Sequence, residues 1–318
     1  MSWLNDNYNK IFKKYPNEQL IADIDNYIYG KGRLYKTLNN FFEECMFKCC
    51  GKRTKISPYD VLNNDDKMNI ILQYIKSKPK FFTSDDEVAN VKSCLRNSLS
   101  WVRKVANFPC REARDIYFRY FDNAKGLNCL DTSAGFGSRM SAVLLSNSNY
   151  YGIDPNKELI DKLNQYNDFL HDINVTSGKC KLYCTGSEVF IEELVDKIDV
   201  YFTSPPYFNL ETYSNDNNSS SKNYDNYEKW LSMYVKPTIY NAYKYLKVGG
   251  YAMINIKNID GKHKLFDDWF NIFMQLEGFD YVETFDFKIN KKQYGLKYDN
   301  TKGEIKNQEP VMVFKKVK

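Results

Sequence analysis

The sequence predicts an α/β protein: a parallel sheet flanked by helices, closed by an antiparallel C-terminal strand pair and preceded by a helical region. Three observations predict it. From Leu127 onward, short apolar strands alternate with helical stretches. A glycine-rich turn and a proline-rich turn fall at strand ends. Finally, two late strands follow each other with no long helix between them, so they should pair antiparallel. The first hundred residues differ in texture, being helix-patterned and lacking Gly-rich turns.

In that first region Ser84-Asp-Asp-Glu87 reads as a capping box, and Val88, Val91, Leu95, Leu99 and Val102 follow at helical spacing. An earlier helix is expected over Lys67 to Lys76, between the polar stretch Asn63-Asn-Asp-Asp66 and Pro79. Pro109 marks a break, after which Arg111 to Phe121 resumes a helical pattern. The domain boundary is therefore drawn between a helical region, 1–106, and an α/β domain, 107–318. Within the latter, strands are expected over Leu127 to Asp131, Tyr150 to Asp154, Lys181 to Cys184, Ile198 to Thr203 and Tyr251 to Ile256. Helices should follow the second strand, through about Asn167, and the third, over Glu188 to Val195. Asp280 to Ile289 and Val311 to Phe314 form the closing pair. No internal repeat is present.

Composition narrows the function classes. A chain of 318 residues, 43% hydrophobic and 16% aromatic, has ample material for a packed core. No segment approaches the roughly 18 unbroken apolar residues of a membrane span. The N-terminus carries no apolar run with a small-residue cleavage site, so no secretion signal is expected. The eight cysteines lack zinc-ligand spacing, and the only histidines are His171 and His263, so no metal is expected. Free cysteines in apolar strand contexts point to a reducing, intracellular or cytoplasmic compartment. A net charge of +5 permits a polyanionic partner without requiring one.

Two turns carry the chemistry. The first strand ends in Asp131, and Ala134-Gly135-Phe136-Gly137 leads into a helix. Such a turn lets backbone approach a nucleotide cofactor where a side chain would block it. Its Gly-Phe-Gly spacing differs from the three-glycine dinucleotide fingerprint. Asp154, at the end of the second strand, is placed to bond ribose hydroxyls. The fourth strand ends in Ser204-Pro205-Pro206-Tyr207, on the carboxyl edge where α/β sheets bind ligands. An exocyclic amine on a base is a poor nucleophile, because its lone pair is delocalised into the ring. The Ser204 hydroxyl and the Pro205 carbonyl can accept hydrogen bonds from it, and two prolines pre-orient those acceptors. Tyr207 can stack on a base that is flipped out or single-stranded.

Together, Leu130-Asp-Thr-Ser-Ala-Gly-Phe-Gly137 and Thr203-Ser-Pro-Pro-Tyr-Phe208 resemble motifs I and IV of the S-adenosylmethionine-dependent amino-methyltransferases, which methylate exocyclic nitrogens of cytosine or adenine in DNA. The resemblance covers Phe108 to Lys318. It implies the class I methyltransferase (Rossmann-like) fold, with S-adenosyl-L-methionine as cofactor. It also implies that Asp131 meets the methionine ammonium, that Phe136 lies near the cofactor, and that Asp154 binds the ribose. Ser187 or Glu188 takes the adenine-binding position in Thr185-Gly-Ser-Glu188, and Phe108-Pro109 contacts the methionine end. Ser-Pro-Pro-Tyr is most typical of cytosine-N4 enzymes, which makes a DNA methyltransferase of a restriction-modification or mobile-element setting the first expectation. Adenine-N6 methylation is the second, and a non-catalytic, methyltransferase-like nucleic-acid-binding subunit the third.

DNA is the expected partner, with RNA as an alternative and no membrane. For nucleic-acid contact the candidates are the lysine- and tyrosine-bearing segment 288–307, the loop Asn209 to Asn223 and the arginines Arg96, Arg103, Arg111 and Arg114. Each has a plainer reading as a solvated loop or exposed helix face. The N-terminal region contacts DNA, mediates homodimerisation or buttresses the sheet, and the sequence does not choose among these.

Overall fold

In the computed structural model the described residues are 3–51, 56–99, 102, 105–208, 211–212, 224, 226–258, 263–288 and 308–318. They fall into two units. The first spans the chain up to Ala106 together with the two-residue strand Glu211–Thr212, and the second holds the remainder.

The first unit is built from α1 (Trp3–Ile11), α2 (Asn17–Ile28), α3 (Tyr35–Lys48), α4 (Pro58–Leu62), α5 (Asp65–Lys76) and α6 (Glu87–Asn97). The strand Cys50–Gly51 pairs antiparallel with Glu211–Thr212. The expected apolar stripe Val88, Val91, Leu95, Leu99 and Val102 is buried, packed in a cluster with Met68, Ile71 and Phe47. Two boundaries shift. The α5 helix begins two residues early, because the Asn64 side chain accepts from the Lys67 N–H and caps it. For α6 the cap is Asp86, whose carboxylate accepts from the Val88 N–H, whereas Ser84 accepts from the Asp86 N–H. The buried Glu43 of α3 holds Lys92 at 2.7 Å and Arg96 at 3.0 Å, so Arg96 is committed to an ion pair. Arg103 lies outside the described residues.

The second unit is a sheet of seven strands: β1 (Asn128–Asp131), β2 (Asn149–Ile153), β3 (Cys180–Tyr183), β4 (Ile198–Thr203), β5 (Leu246–Asn255), β6 (Phe279–Lys288) and β7 (Gln308–Lys316). Their spatial order is β3-β2-β1-β4-β5-β7-β6. The first five run parallel, and β7 lies antiparallel between β5 and β6. This order, with the last strand inserted before the penultimate one, is the class I methyltransferase fold. It departs from a wholly parallel doubly wound sheet at the antiparallel strand β7.

Helices connect the parallel strands. α7 (Cys110–Tyr117) starts at Pro109, and α8 (Ser138–Leu144) follows the glycine turn. α9 (Lys157–Asp172) is capped by Asn156 and buries Leu159, Ile160, Leu163, Tyr166 and Leu170, one face at helical spacing. The helix expected over Glu188 to Val195 is instead a single 3₁₀ turn, Glu192–Leu194. Val189 and Phe190 there are exposed, and Leu194 is the only fully buried residue of the stretch, so little burial holds a longer helix. β5 begins five residues before the expected start, because the Gly249 turn (φ +88°) stays inside the strand, where the pairing with β4 shifts register between Ile198 and Val200.

Between β4 and β5 the chain forms a helix of unusual composition: α10 (Tyr227–Trp230), a π turn (Leu231–Val235) and α11 (Lys236–Tyr245). Pro237 explains the π turn. Its ring crowds the preceding turn and it offers no N–H to the carbonyl of Met233. That carbonyl accepts from the Tyr224 hydroxyl at 3.4 Å instead. A last helix, α12 (Leu265–Met274), stacks Phe273 on Phe314 of β7 with centroids 4.4 Å apart, which covers the closing strand pair. Among the described residues no helix is long and apolar enough to cross a membrane.

Replacing Phe314 with Ala removes this stacked, fully buried ring. The expected loss is about 3–5 kcal/mol of stability, read as a lower urea midpoint at unchanged slope.

Candidate active site

Strand order reverses between β1 and β4: β2 and β3 lie to one side and β5 to the other. Ligands bind at such switch points, beyond the carboxyl ends of the strands. Both sequence-predicted turns leave from here, on adjacent strands paired Leu130 to Tyr201.

The glycine turn is rigid. Gly135 (φ +59°) and Gly137 (φ +76°) are left-handed, a conformation that costs any other residue about 1–2 kcal/mol. The Ala134 N–H donates to the carbonyl of Ile153 at 3.1 Å, which ties the turn to β2. Phe136 is 7% exposed, and its carbonyl accepts from the Asn107 amide at 2.8 Å. The neighbouring Phe108 ring lies edge-on to Phe202 and 5.6 Å from the Arg139 guanidinium. Pro109 is buried at the start of α7, so Asn107-Phe108-Pro109 braces the turn from outside.

Asp131 has a different place from the one expected. Its carboxylate is fully buried and ion-paired to Arg139, Nε to Oδ2 at 2.7 Å and Nη2 to Oδ1 at 3.4 Å. It also accepts from the Ser133 N–H (3.1 Å), the Tyr150 hydroxyl (3.1 Å) and the Thr203 hydroxyl (3.3 Å). Arg139 donates further to the carbonyl of Ser133. Burial alone would lower the Arg139 pKa, but the charge and hydrogen bonds of Asp131 outweigh it and hold the guanidinium above its usual value. In this structure the carboxylate is enclosed by these partners, and Asp131 clamps the turn to β2 and β4.

Asp154 stands at the end of β2, half-buried. Oδ1 accepts from the Asn156 N–H at 3.0 Å and Oδ2 from the Gly135 N–H at 3.4 Å. Desolvation raises its pKa from 3.8 to about 6, and those two N–H donors oppose the rise. Ser187 is buried and turned inward. Its hydroxyl meets Thr238 at 2.8 Å and its carbonyl accepts from Asn241 at 3.0 Å. Of the two residues weighed for the adenine position, Glu188 is the open one: its Oε2 is buried with no hydrogen-bond partner among the described residues. Desolvation raises its pKa as well. The carboxylate folds over Gly186, where a Cβ would come within 2.3 Å of Oε2. Sequence reasoning missed Tyr234, a buried ring on the π turn whose hydroxyl pKa is raised by burial. The rings of Tyr227, Trp230 and Tyr234 stack in succession.

In the second turn Thr203 and Pro205 are buried, while Ser204, Pro206 and Tyr207 are partly so. Tyr207 packs against the core cluster, so the stacking face assigned to it is partly covered. Phe208 is buried against Trp230 and His263. The Ser204 hydroxyl lies 3.3 Å from Oδ1 of Asn255, at the end of β5. The segment 288–307 beyond Lys288, and most of the loop Asn209 to Asn223, lie outside the described residues. Arg111 and Arg114 are exposed on α7.

No protein-family profile and no curated protein sequence matches this chain. Solved structures do. It is similar to a TehB-like S-adenosylmethionine-dependent methyltransferase from Corynebacterium glutamicum (18% identity, 64% of this chain and 86% of that one, TM-score 0.41). It is similar also to an S-adenosylmethionine-dependent O-methyltransferase from Thermotoga maritima (10%, 68% and 68%, 0.42) and an rRNA methylase from Streptococcus thermophilus (14%, 67% and 99%, 0.38). The fold assignment rests on the strand order of the chain itself.

Replacing Asp131 with Asn leaves Arg139 buried and unpaired. The expected cost is about 3–5 kcal/mol, read by chemical denaturation. A loss below about 1 kcal/mol would contradict the clamp.

Proposed function

We propose that this protein is an S-adenosylmethionine-dependent methyltransferase that modifies the exocyclic amine of a nucleic-acid base, cytosine N4 of DNA being the first choice. One observation carries the reading. The Ser-Pro-Pro-Tyr turn and the Gly-Phe-Gly turn end adjacent strands and are joined by the Thr203–Asp131 hydrogen bond of 3.3 Å.

The residues present fit the cofactor. Left-handed Gly135 and Gly137 leave the backbone bare for its methionine end. Asp154 is a carboxylate suited to a pair of ribose hydroxyls, and the unpartnered Oε2 of Glu188 is an acceptor suited to the adenine amine. When bound, S-adenosylmethionine supplies an electrophilic methyl group on a sulfonium. The chain's own residues do the rest. Ser204 Oγ and the Pro205 carbonyl accept the amine N–H bonds, drawing the nitrogen toward tetrahedral geometry and freeing its lone pair to attack. The prolines hold both acceptors in place before substrate arrives. The proton shed by the methylated nitrogen leaves to water. Both adenine N6 and cytosine N4 satisfy these acceptors, so adenine is the second reading.

Methyl transfer from labelled S-adenosylmethionine to unmethylated genomic DNA, with RNA in parallel, tests the reading by nucleoside mass spectrometry. N4-methylcytosine in DNA is the expected product, and no methylated base in either polymer overturns it. Ser204→Ala should lower kcat by about 10²–10³ with cofactor affinity unchanged.

The raised pKa of Asp154 sets a pH dependence. Its ionised form binds the ribose, so cofactor affinity should hold above pH 6. It should weaken up to about tenfold per unit as pH falls through about 6. Calorimetric titration across that range checks the sign, and Asp154→Asn should bind weakly with a shallower dependence, the part that Glu188 contributes.

A further inference from the structure

Asn255 closes β5 beside the catalytic turn and is 3% exposed. Its side chain has two partners. Nδ2 donates to the carbonyl of Pro310 on β7 at 3.0 Å, and Oδ1 faces the Ser204 hydroxyl at 3.3 Å. The direction of both bonds follows from chemistry alone. A proline carbonyl can only accept, so the amide must present its NH₂ group to Pro310. Its oxygen is thereby turned to Ser204, and that oxygen can only accept. The single hydroxyl hydrogen of Ser204 is therefore spent on Asn255. What remains on Oγ is a pair of lone pairs.

We propose that Asn255 is a positioning residue that fixes Ser204 as a hydrogen-bond acceptor and so selects an N–H-bearing nucleophile. This rests on the reading of Ser204 given above. Without Asn255 the hydroxyl rotates freely, and in some rotamers it points its hydrogen at the substrate nitrogen. A hydrogen bond donated to that nitrogen would occupy the lone pair the reaction needs. Asn255 removes this wrong orientation before substrate arrives. The anchor reaches past β5: the carbonyl that sets the amide belongs to the antiparallel strand β7, paired Asn255 to Val311. The strand that distinguishes this sheet from a wholly parallel one thus orients a group in the catalytic turn.

A purely structural role, stitching β5 to β7, predicts different behaviour, and two cycles separate the readings. In turnover with tritiated S-adenosylmethionine and unmethylated genomic DNA, Asn255→Ala should lower kcat about tenfold to a hundredfold at unchanged cofactor KM. In a Ser204→Ala background the same change should cost less than about twofold. Asn255→Asp still offers an oxygen to Ser204 but sets it against the Pro310 carbonyl. Its melting temperature should fall at least as far as that of Asn255→Ala, while its kcat stays closer to wild type. A structural stitch would make turnover track stability in all three variants. The second cycle, urea unfolding of the same variants, needs no substrate and should show the Ser204 and Asn255 changes to be non-additive. Additive unfolding overturns the hydrogen bond, and additive turnover overturns the positioning role. A wild-type protein that methylates no base amine, with coupling in unfolding intact, instead fails the function reading and takes the positioning role with it.

Discussion

The buried pair of Asp131 and Arg139 is the constraint on which the rest of the site depends. Two opposite charges in a dry interior are tolerable only if each has the other and every remaining lone pair or proton is used. Asp131 meets that condition by drawing on its own turn through Ser133, on β2 through Tyr150 and on β4 through Thr203. The place of β1 between β2 and β4, in the register seen, is what brings the last two of these donors to the carboxylate. The glycine turn is consequently ordered when the protein folds, so little of its ordering cost falls on ligand binding.

A second constraint comes from Pro237. A proline within a helix leaves one carbonyl without its partner, and here the chain absorbs the fault as a π turn whose exposed carbonyl accepts from Tyr224. The wider turn shifts the positions C-terminal to Trp230 around the helix axis. Trp230 and Tyr234 stack at 5.7 Å, and further along the same helix Thr238 and Asn241 bond the hydroxyl and the carbonyl of Ser187. The helix after the Ser-Pro-Pro-Tyr turn is thereby tied to the loop after β3.

The sequence made visible whatever is local. The Gly-Phe-Gly turn, the Ser-Pro-Pro-Tyr turn, the bounds of β4 and the buried stripe from Val88 to Val102 all depend on neighbours a few residues away. The parallel sheet followed from alternation, and the antiparallel closure from the missing helix before β7. What stayed hidden depends on partners far along the chain. Nothing at Asp131 says that Tyr150 and Thr203 will saturate it, although an arginine eight residues on, in the first turns of a helix after glycines, was a signal open to reading. Ser187 and Glu188 are neighbours of similar polarity. Only their packing shows that one turns inward to Thr238 while the other keeps an unbonded oxygen. The stretch after Glu188 reads as helix by composition, yet Val189 stays exposed and Phe190 only lays its ring on Tyr245 from the surface. Asn255 looks like any polar residue at a strand end until Pro310, 55 residues later, sets its amide.

The polar groups around the switch point divide into those already committed and those left open. Arg139 is spent on Asp131, Tyr150 and Thr203 donate to that same carboxylate, and Ser204 gives its hydrogen to Asn255. Left open among the described residues are two acceptors, the buried Oε2 of Glu188 and the lone pairs of Ser204 Oγ, and one hydroxyl, Ser138 Oγ. An amine meets what it needs. The proposed cofactor and the proposed substrate base both present an exocyclic amine on an aromatic ring. The open acceptors at Glu188 and Ser204 suit both by the same physics.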